Sequence, residues 1–153
     1  MIIAIDPDIN KSGVTILDKG VKSVRVSLLT FPEVVDMLYS MKGSPHPVSI
    51  HIEAGWLNTG NWHLKKGDSK VVSAAKGRSV GMNHEVGKKI GEMAEHLGYE
   101  VYYVRPLKKI WGKNSKEKIS HKELNEQLKK KGYPTLASTS QDARDSCLIA
   151  ITR

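Results

Sequence analysis

The chain has 153 residues, 39% hydrophobic and 26% charged, with 24 Lys and Arg against 16 Asp and Glu for a formal charge of +8. Such a length suits one domain with a continuous core, and such a composition excludes wholesale disorder. The basic balance favours a polyanionic partner, nucleic acid ahead of an anionic membrane, and no apolar run approaches the length of a membrane span.

Residues 1–6 form an apolar, β-rich run (Ile2, Ile3, Ala4, Ile5) closed by Asp6, and no basic segment precedes it as in a signal peptide. Residues 7–13 are dense in turn formers, 14–17 read as a second strand, 18–20 as a tight turn and 21–28 as a third strand. Thr30 is placed to cap a helix with Pro32 and Glu33 in its first turn and apolar residues at Val34, Val35, Met37, Leu38 and Met41. A fourth strand, 48–53, closes on Glu53. Residues 54–70 lack periodicity and hold Trp56, Trp62, Lys65 and Lys66 among glycines and asparagines; a loop of that length is functional or mobile. Helix is expected from 71 to 97, in one piece or two, because Gly77, Gly81, Gly87 and Gly91 all weaken it, with Gly98 just past its end. A fifth strand spans 100–104. A basic helix is expected over 115–131 with Ser115 as a possible cap and Leu124 and Leu128 as anchors, then a last helix from Ser140 to the end. Cys147, in that last helix, is the single cysteine; it excludes an intrachain disulfide and points to a reducing, cytoplasmic setting. The order βββαβαβαα predicts an α/β domain with a mixed sheet and helices on both faces, undivided by any linker or internal repeat.

The charge excess is local. Between Arg105 and Lys131 ten cations face three carboxylates, a net +7. Set against this, Asp6 and Glu53 end two apolar strands, and Asp142 and Asp145 open the last helix three residues apart, on one face. Singly, Asp6 also fits a turn cap and Asp142 an N-terminal cap. Together, at the carboxyl ends of parallel strands where α/β sheets form crevices, they are a donor set for Mg²⁺ or Mn²⁺, which favour oxygen ligands. Two such ions, roughly 3.5–4 Å apart, activate water and stabilise a leaving oxygen in in-line phosphodiester hydrolysis.

These motifs resemble the RuvC-type Holliday junction resolvases of the ribonuclease H-like superfamily over nearly the full length. Ile3, Ala4, Ile5, Asp6 and Pro7, followed by Gly13 and an apolar strand, are similar to the family's first motif, and Ile50, His51, Ile52 and Glu53 to the strand ending in its glutamate. Residues 77–81 and the helix after them resemble its dimer-interface segment, residues 103–109 and 115–118 its proline–lysine and basic-helix motifs, and Asp142, Ala143, Arg144, Asp145 its C-terminal acidic pair. The resemblance implies a five-stranded ribonuclease H-like sheet and two Mg²⁺ held by Asp6, Glu53, Asp142 and Asp145. It implies a homodimer that nicks four-way or related branched DNA. Trp56 would stack at the junction. Lys109 and Lys118 fall near the family's phosphate-contacting lysines, with Lys108 and Lys116 competing under a small register shift, and Lys65, Lys66 and Arg78 extend the expected DNA-binding set. Asp8 stands where the family has glycine, as either a fifth ligand or a turn residue. The glycines of the long helix suit a close interface between copies or tight packing on their own sheet. The rival readings are a ribonuclease H-like nuclease acting on RNA or other structures, and a non-catalytic basic nucleic-acid-binding protein on the same fold.

Overall fold

Period-two alternation along each strand decides which side chains reach which face of the sheet. The computed structural model describes residues 1–58, 67–108, 110–112 and 117–153. Strands β1 (Ile2–Asp6), β2 (Ser12–Asp18) and β3 (Ser23–Leu29) form an antiparallel meander, followed by helix α1 (Phe31–Met41) and strand β4 (Ser49–Glu53). A short 3₁₀ turn at Gly55–Leu57, helix α2 (Lys70–His96) and strand β5 (Glu100–Val104) come next, then helices α3 (His121–Lys130) and α4 (Gln141–Ile151). The sheet order is β3-β2-β1-β4-β5, with β4 parallel to both β1 and β5. This is the predicted mixed sheet.

Ile3, Ile5, Ile50 and Ile52 point to one face, where they pack with Val34 and Leu38 of α1 and with Ile90 and Ala94 of α2. Ile2 and Ala4 point to the other, joined by Leu124 and Leu128 of α3 and by Cys147 to Ile151 of α4. Parity then fixes the acids. Asp6 shares the face of Ile2 and Ala4, and β4 pairs with β1 as Ile5 with Ile52, so one step further Asp6 and Glu53 come level on the α4 face. Cys147, fully buried with its thiol pushed up to about 12 by burial, is core and no nucleophile.

The caps explain the helix starts. Thr30 and Glu33 form a capping box on α1, Ser69 accepts from Val72 N–H at the start of α2, and Ser140 accepts from Ala143 N–H at the start of α4. One open alternative closes and one expectation needs correction. The long helix is a single unbroken one, held along its C-terminal half by Gly87, Ile90, Gly91 and Ala94 packed on the sheet. The basic helix starts at His121, because Ser120 with Glu123 makes the capping box there; Ser115 lies outside the described residues. Gly98 takes φ +87° just past α2, as expected. No described helix is long and apolar enough to cross a membrane.

Helix α4 crosses β2 closely because Gly13 has no side chain: a Cβ there would collide with the Asp142 carbonyl oxygen. The buried hydroxyls of Thr15 and Ser146, 2.9 Å apart, pair across the same contact. Gly13→Ala is therefore expected to lower the unfolding free energy by about 1–3 kcal/mol in urea denaturation, as overpacking against backbone does. Wild-type stability in that variant would mean that α4 is free to shift and that this contact does not set the acids' position.

Candidate active site

The carboxyl ends of β1 and β4, the N-terminal turns of α4 and one side of α2 enclose a cleft of about 550 Å³. Asp6, Glu53 and Asp145 line it, together with Lys118 and Lys108. Burial, then the charges of Glu53, Asp145 and Asp142, hold the Asp6 carboxyl well above its usual range, while Lys118 pulls the other way. Glu53 is pushed up to about 7, first by burial and then by Asp145, against Lys118 and a hydrogen bond from the Leu107 backbone. Asp142 is raised too, by burial first, with Lys118 opposing and Asp8 and Asp145 adding repulsion. It stands beside the cleft rather than among its lining residues.

Asp145 has both oxygens engaged. Lys118 Nζ lies 2.7 Å from Oδ2, and Gln141 Nε2 donates to Oδ1 at 2.8 Å. Burial works against the Lys118 charge, but the hydrogen bond and charge of Asp145, followed by Asp6 and Asp142, raise its pKa overall. Arg144 supports this arrangement from behind. Its Nε donates to the Ile119 carbonyl, one Nη to the Thr139 carbonyl and the other to Gln141 Oε1, at 2.7–3.0 Å. Gln141 and Asp145 are one helical turn apart, a spacing visible in sequence and unused there.

Asp8 proves to be a turn residue. Its Oδ1 accepts from Asn10 N–H at 2.8 Å, and its Oδ2 accepts from Asn83 Nδ2 at 3.1 Å. Asn83 Oδ1 in turn accepts from Ile9 N–H at 3.0 Å, so one α2 side chain fastens the turn that follows Asp6. Sequence reasoning missed Asn83, since a single asparagine in a long helix carries no pattern.

Trp56 lies on the cleft wall, seated against α2. A Cβ on Gly87 would fall 2.9 Å from its ring and 2.9 Å from Pro7, and Tyr103 meets the ring edge-on with centroids 5.6 Å apart. Gly87 and Gly91 thus serve packing within the chain, against Pro7, Trp56 and Tyr103, whereas among the described residues a Cβ on Gly77 or Gly81 would meet nothing within 4 Å, and both border the cleft. Arg78 is exposed between them, and Lys108 is exposed at the cleft. Lys65, Lys66, Lys109 and Lys116, with Trp62, lie outside the described residues. His121 is occupied within the fold by Thr139 and Asn125, and His51 by Ser49 Oγ and the stacked ring of Tyr102.

Among the described residues no three acidic, histidine or cysteine side chains form a ready-made ion site. The donor set nevertheless fits a hard divalent cation in chemistry and location: its donors are carboxylate oxygens from strand ends and one helix, and burial followed by mutual repulsion raises the pKa of Asp6 and Glu53.

No protein-family model matches this chain, and no curated protein does. Among solved structures it is similar to Thermus thermophilus RuvC in complex with a Holliday junction substrate, at 15% identity and a TM-score of 0.51, covering 99% of this chain and 90% of that one. A second Thermus thermophilus RuvC structure matches at 16% identity and a TM-score of 0.48, over 99% of this chain and 91% of that one. At such identity the likeness is one of fold, and the fold is ribonuclease H-like.

The raised carboxyl of Glu53 gives a signed pH dependence. Between its usual value of 4.5 and about 7 the folded protein binds more protons than the unfolded chain. Stability of the metal-free protein therefore falls as pH rises through that window, by the order of 2–3 kcal/mol for this group. Urea denaturation in EDTA at pH 5 and pH 8 measures it, and Glu53→Gln should flatten the difference. An equal pH dependence in the variant would remove Glu53 as its source.

Proposed function

We propose that this chain is a divalent-metal-dependent endonuclease that nicks branched DNA, a Holliday junction or a related four-way structure, acting as a cytoplasmic homodimer. The observation that carries this reading is the meeting of Asp6, Glu53 and Asp145 in one cleft with Lys118 and Lys108, on a strongly basic chain. Asp6 and Glu53 would hold the metal from the strand ends, with Asp145 and Asp142 completing the set from α4. These residues would hold Mg²⁺, two ions with Mn²⁺ as a substitute, and the metal would supply positive charge beside the scissile phosphate and lower the pKa of water. The protein's own part is placement. The sheet fixes Asp6 and Glu53, Asn83 holds the turn after Asp6, and Gln141 orients Asp145. Lys108 and Lys118 suit the flanking phosphates, and affinity would fall steeply with salt.

Branched DNA is favoured because the similar structure was solved with a Holliday junction substrate and the fold is shared across the chain. Paired cuts on symmetric strands call for a two-fold dimer. The N-terminal half of α2 offers a surface for it, with Val71 79%, Val72 43% and Met82 39% exposed. A catalytically idle nucleic-acid-binding protein on the same fold draws support from the ion pair that engages Asp145.

Cleavage of a synthetic four-way junction, beside duplex, single-stranded and RNA substrates, separates these readings. Paired symmetric nicks are expected in Mg²⁺ or Mn²⁺ and not in EDTA, with Asp6→Asn reducing the rate by about a thousandfold or more, the several kcal/mol a metal ligand supports. Tight junction binding without cutting in every metal would leave a binding protein.

A further inference from the structure

We propose that Lys118 is the resident counter-ion of the carboxylate cluster, and that its ammonium and a divalent cation compete for Asp145, so that DNA and metal promote each other's binding. This rests on the reading that the cleft takes a divalent ion. Lys118 is held in place from both sides. Glu117 exchanges backbone hydrogen bonds with Trp111 at 2.9 and 3.2 Å, and the carbonyl of fully buried Ile119 accepts from Arg144 Nε at 3.0 Å. From that anchored backbone the side chain reaches into the cleft and meets Asp145 Oδ2 at 2.7 Å.

Asp145 is 19% exposed and Lys118 47% exposed, so the pair is unequal. Lys118 and Gln141 each donate to one carboxylate oxygen of Asp145 and leave a second lone pair on each, so an entering ion is opposed chiefly by the Lys118 ammonium charge 2.7 Å from Oδ2. Of the two donors Lys118 is the easier to move. Its stem is long and flexible, its side chain is about half exposed, and a partly exposed ion pair is worth little. Gln141 is tied back by Arg144 and stays. A divalent ion brings twice the charge of an ammonium to the same carboxylates, which favours the exchange once it is present.

The displaced ammonium remains beside a cleft that Lys108 also lines, a setting suited to a phosphate. A DNA phosphate that draws Lys118 away frees Asp145 for metal, and metal that takes Asp145 frees Lys118 for phosphate. Linkage makes the two effects equal in size. Lys118 thereby acts as a positioning residue for metal loading, in addition to any contact with DNA.

Calorimetric titration of Mn²⁺ into the DNA-free protein tests this without relying on activity. Lys118→Met is expected to bind Mn²⁺ about tenfold more tightly than wild type, since a competing cation is gone, and Lys118→Arg to keep the weaker wild-type isotherm. Equal or weaker binding by Lys118→Met overturns the proposal. In the wild-type protein, acetylation of Lys118 by an amine-reactive reagent, read by mass spectrometry, should rise with Mn²⁺; an unchanged or lower rate also overturns it. Junction cleavage with an isotherm indifferent to Lys118 sinks this inference and spares the nuclease reading. A Lys118-dependent isotherm without cleavage of any substrate does the reverse.

Discussion

Asp6, Glu53 and Asp145 bring like charge into a cleft floored by apolar strand ends, and Lys118 is the cation that each of the coupled carboxyls feels. The rest of the site follows from that imbalance. Water would ordinarily stabilise three carboxylates, and burial withholds part of it. Three responses remain to such groups: keep a proton, find a fixed cation, or take up a mobile one. The raised pKa values of Glu53 and Asp6 lean toward the first, and the Lys118 ion pair gives Asp145 the second. The third is the response on which the proposed nuclease rests, because a divalent ion that relieves the repulsion would also attract phosphate.

Holding like charges together requires a scaffold stiffer than their repulsion, and the core supplies it. Asp6 and Glu53 come level because β1 and β4 are parallel neighbours whose alternate residues are buried in opposite layers. A slip by one residue would exchange Ile5 for Asp6 at the core, so the register that packs the isoleucines also aims the acids. Asp145 depends on α4, which the missing Cβ of Gly13 and the Thr15–Ser146 pair hold against β2. Arg144, one residue before Asp145, spends its guanidinium on backbone carbonyls of the segments flanking α3 and on Gln141. A substitution that loosens core packing should therefore disturb this site before it unfolds the domain.

Much of this was legible in the chain. Apolar runs ended by Asp6 and Glu53 announced both the strands and the acids, and Thr30 and Ser140 announced their helices, because each signal is local. The start of α3 was legible too, in Ser120 and Glu123, but the lysines before it invited an earlier helix. Gly87 and Gly91 could be read as small residues without revealing which surface came close; Trp56, Pro7 and Tyr103 supply the answer only in three dimensions. The Asn83 clamp joins residues 75 apart in sequence, and nothing in a helical asparagine points to its partner. Asp8 illustrates the converse, since a fifth acid beside Asp6 invites a ligand role, whereas its oxygens accept from Asn10 within the turn and from Asn83 of α2.

The basic segment divides by place. Lys129 and Lys130 occupy the last turn of α3, where they complement the helix dipole and face solvent. Lys118 and Lys108 reach the cleft instead. A polyanion drawn in by the overall +8 would still meet local repulsion at Asp6, Glu53 and Asp145. Long-range attraction and short-range repulsion therefore act on the same ligand, and Lys118 lines the cleft where the two meet. A phosphate can approach those carboxylates closely only with cations between them. Lys118 provides one such charge and cannot serve Asp145 and a phosphate fully at once, so on the proposed reading the electrostatics that would admit DNA are bound to those that would admit metal.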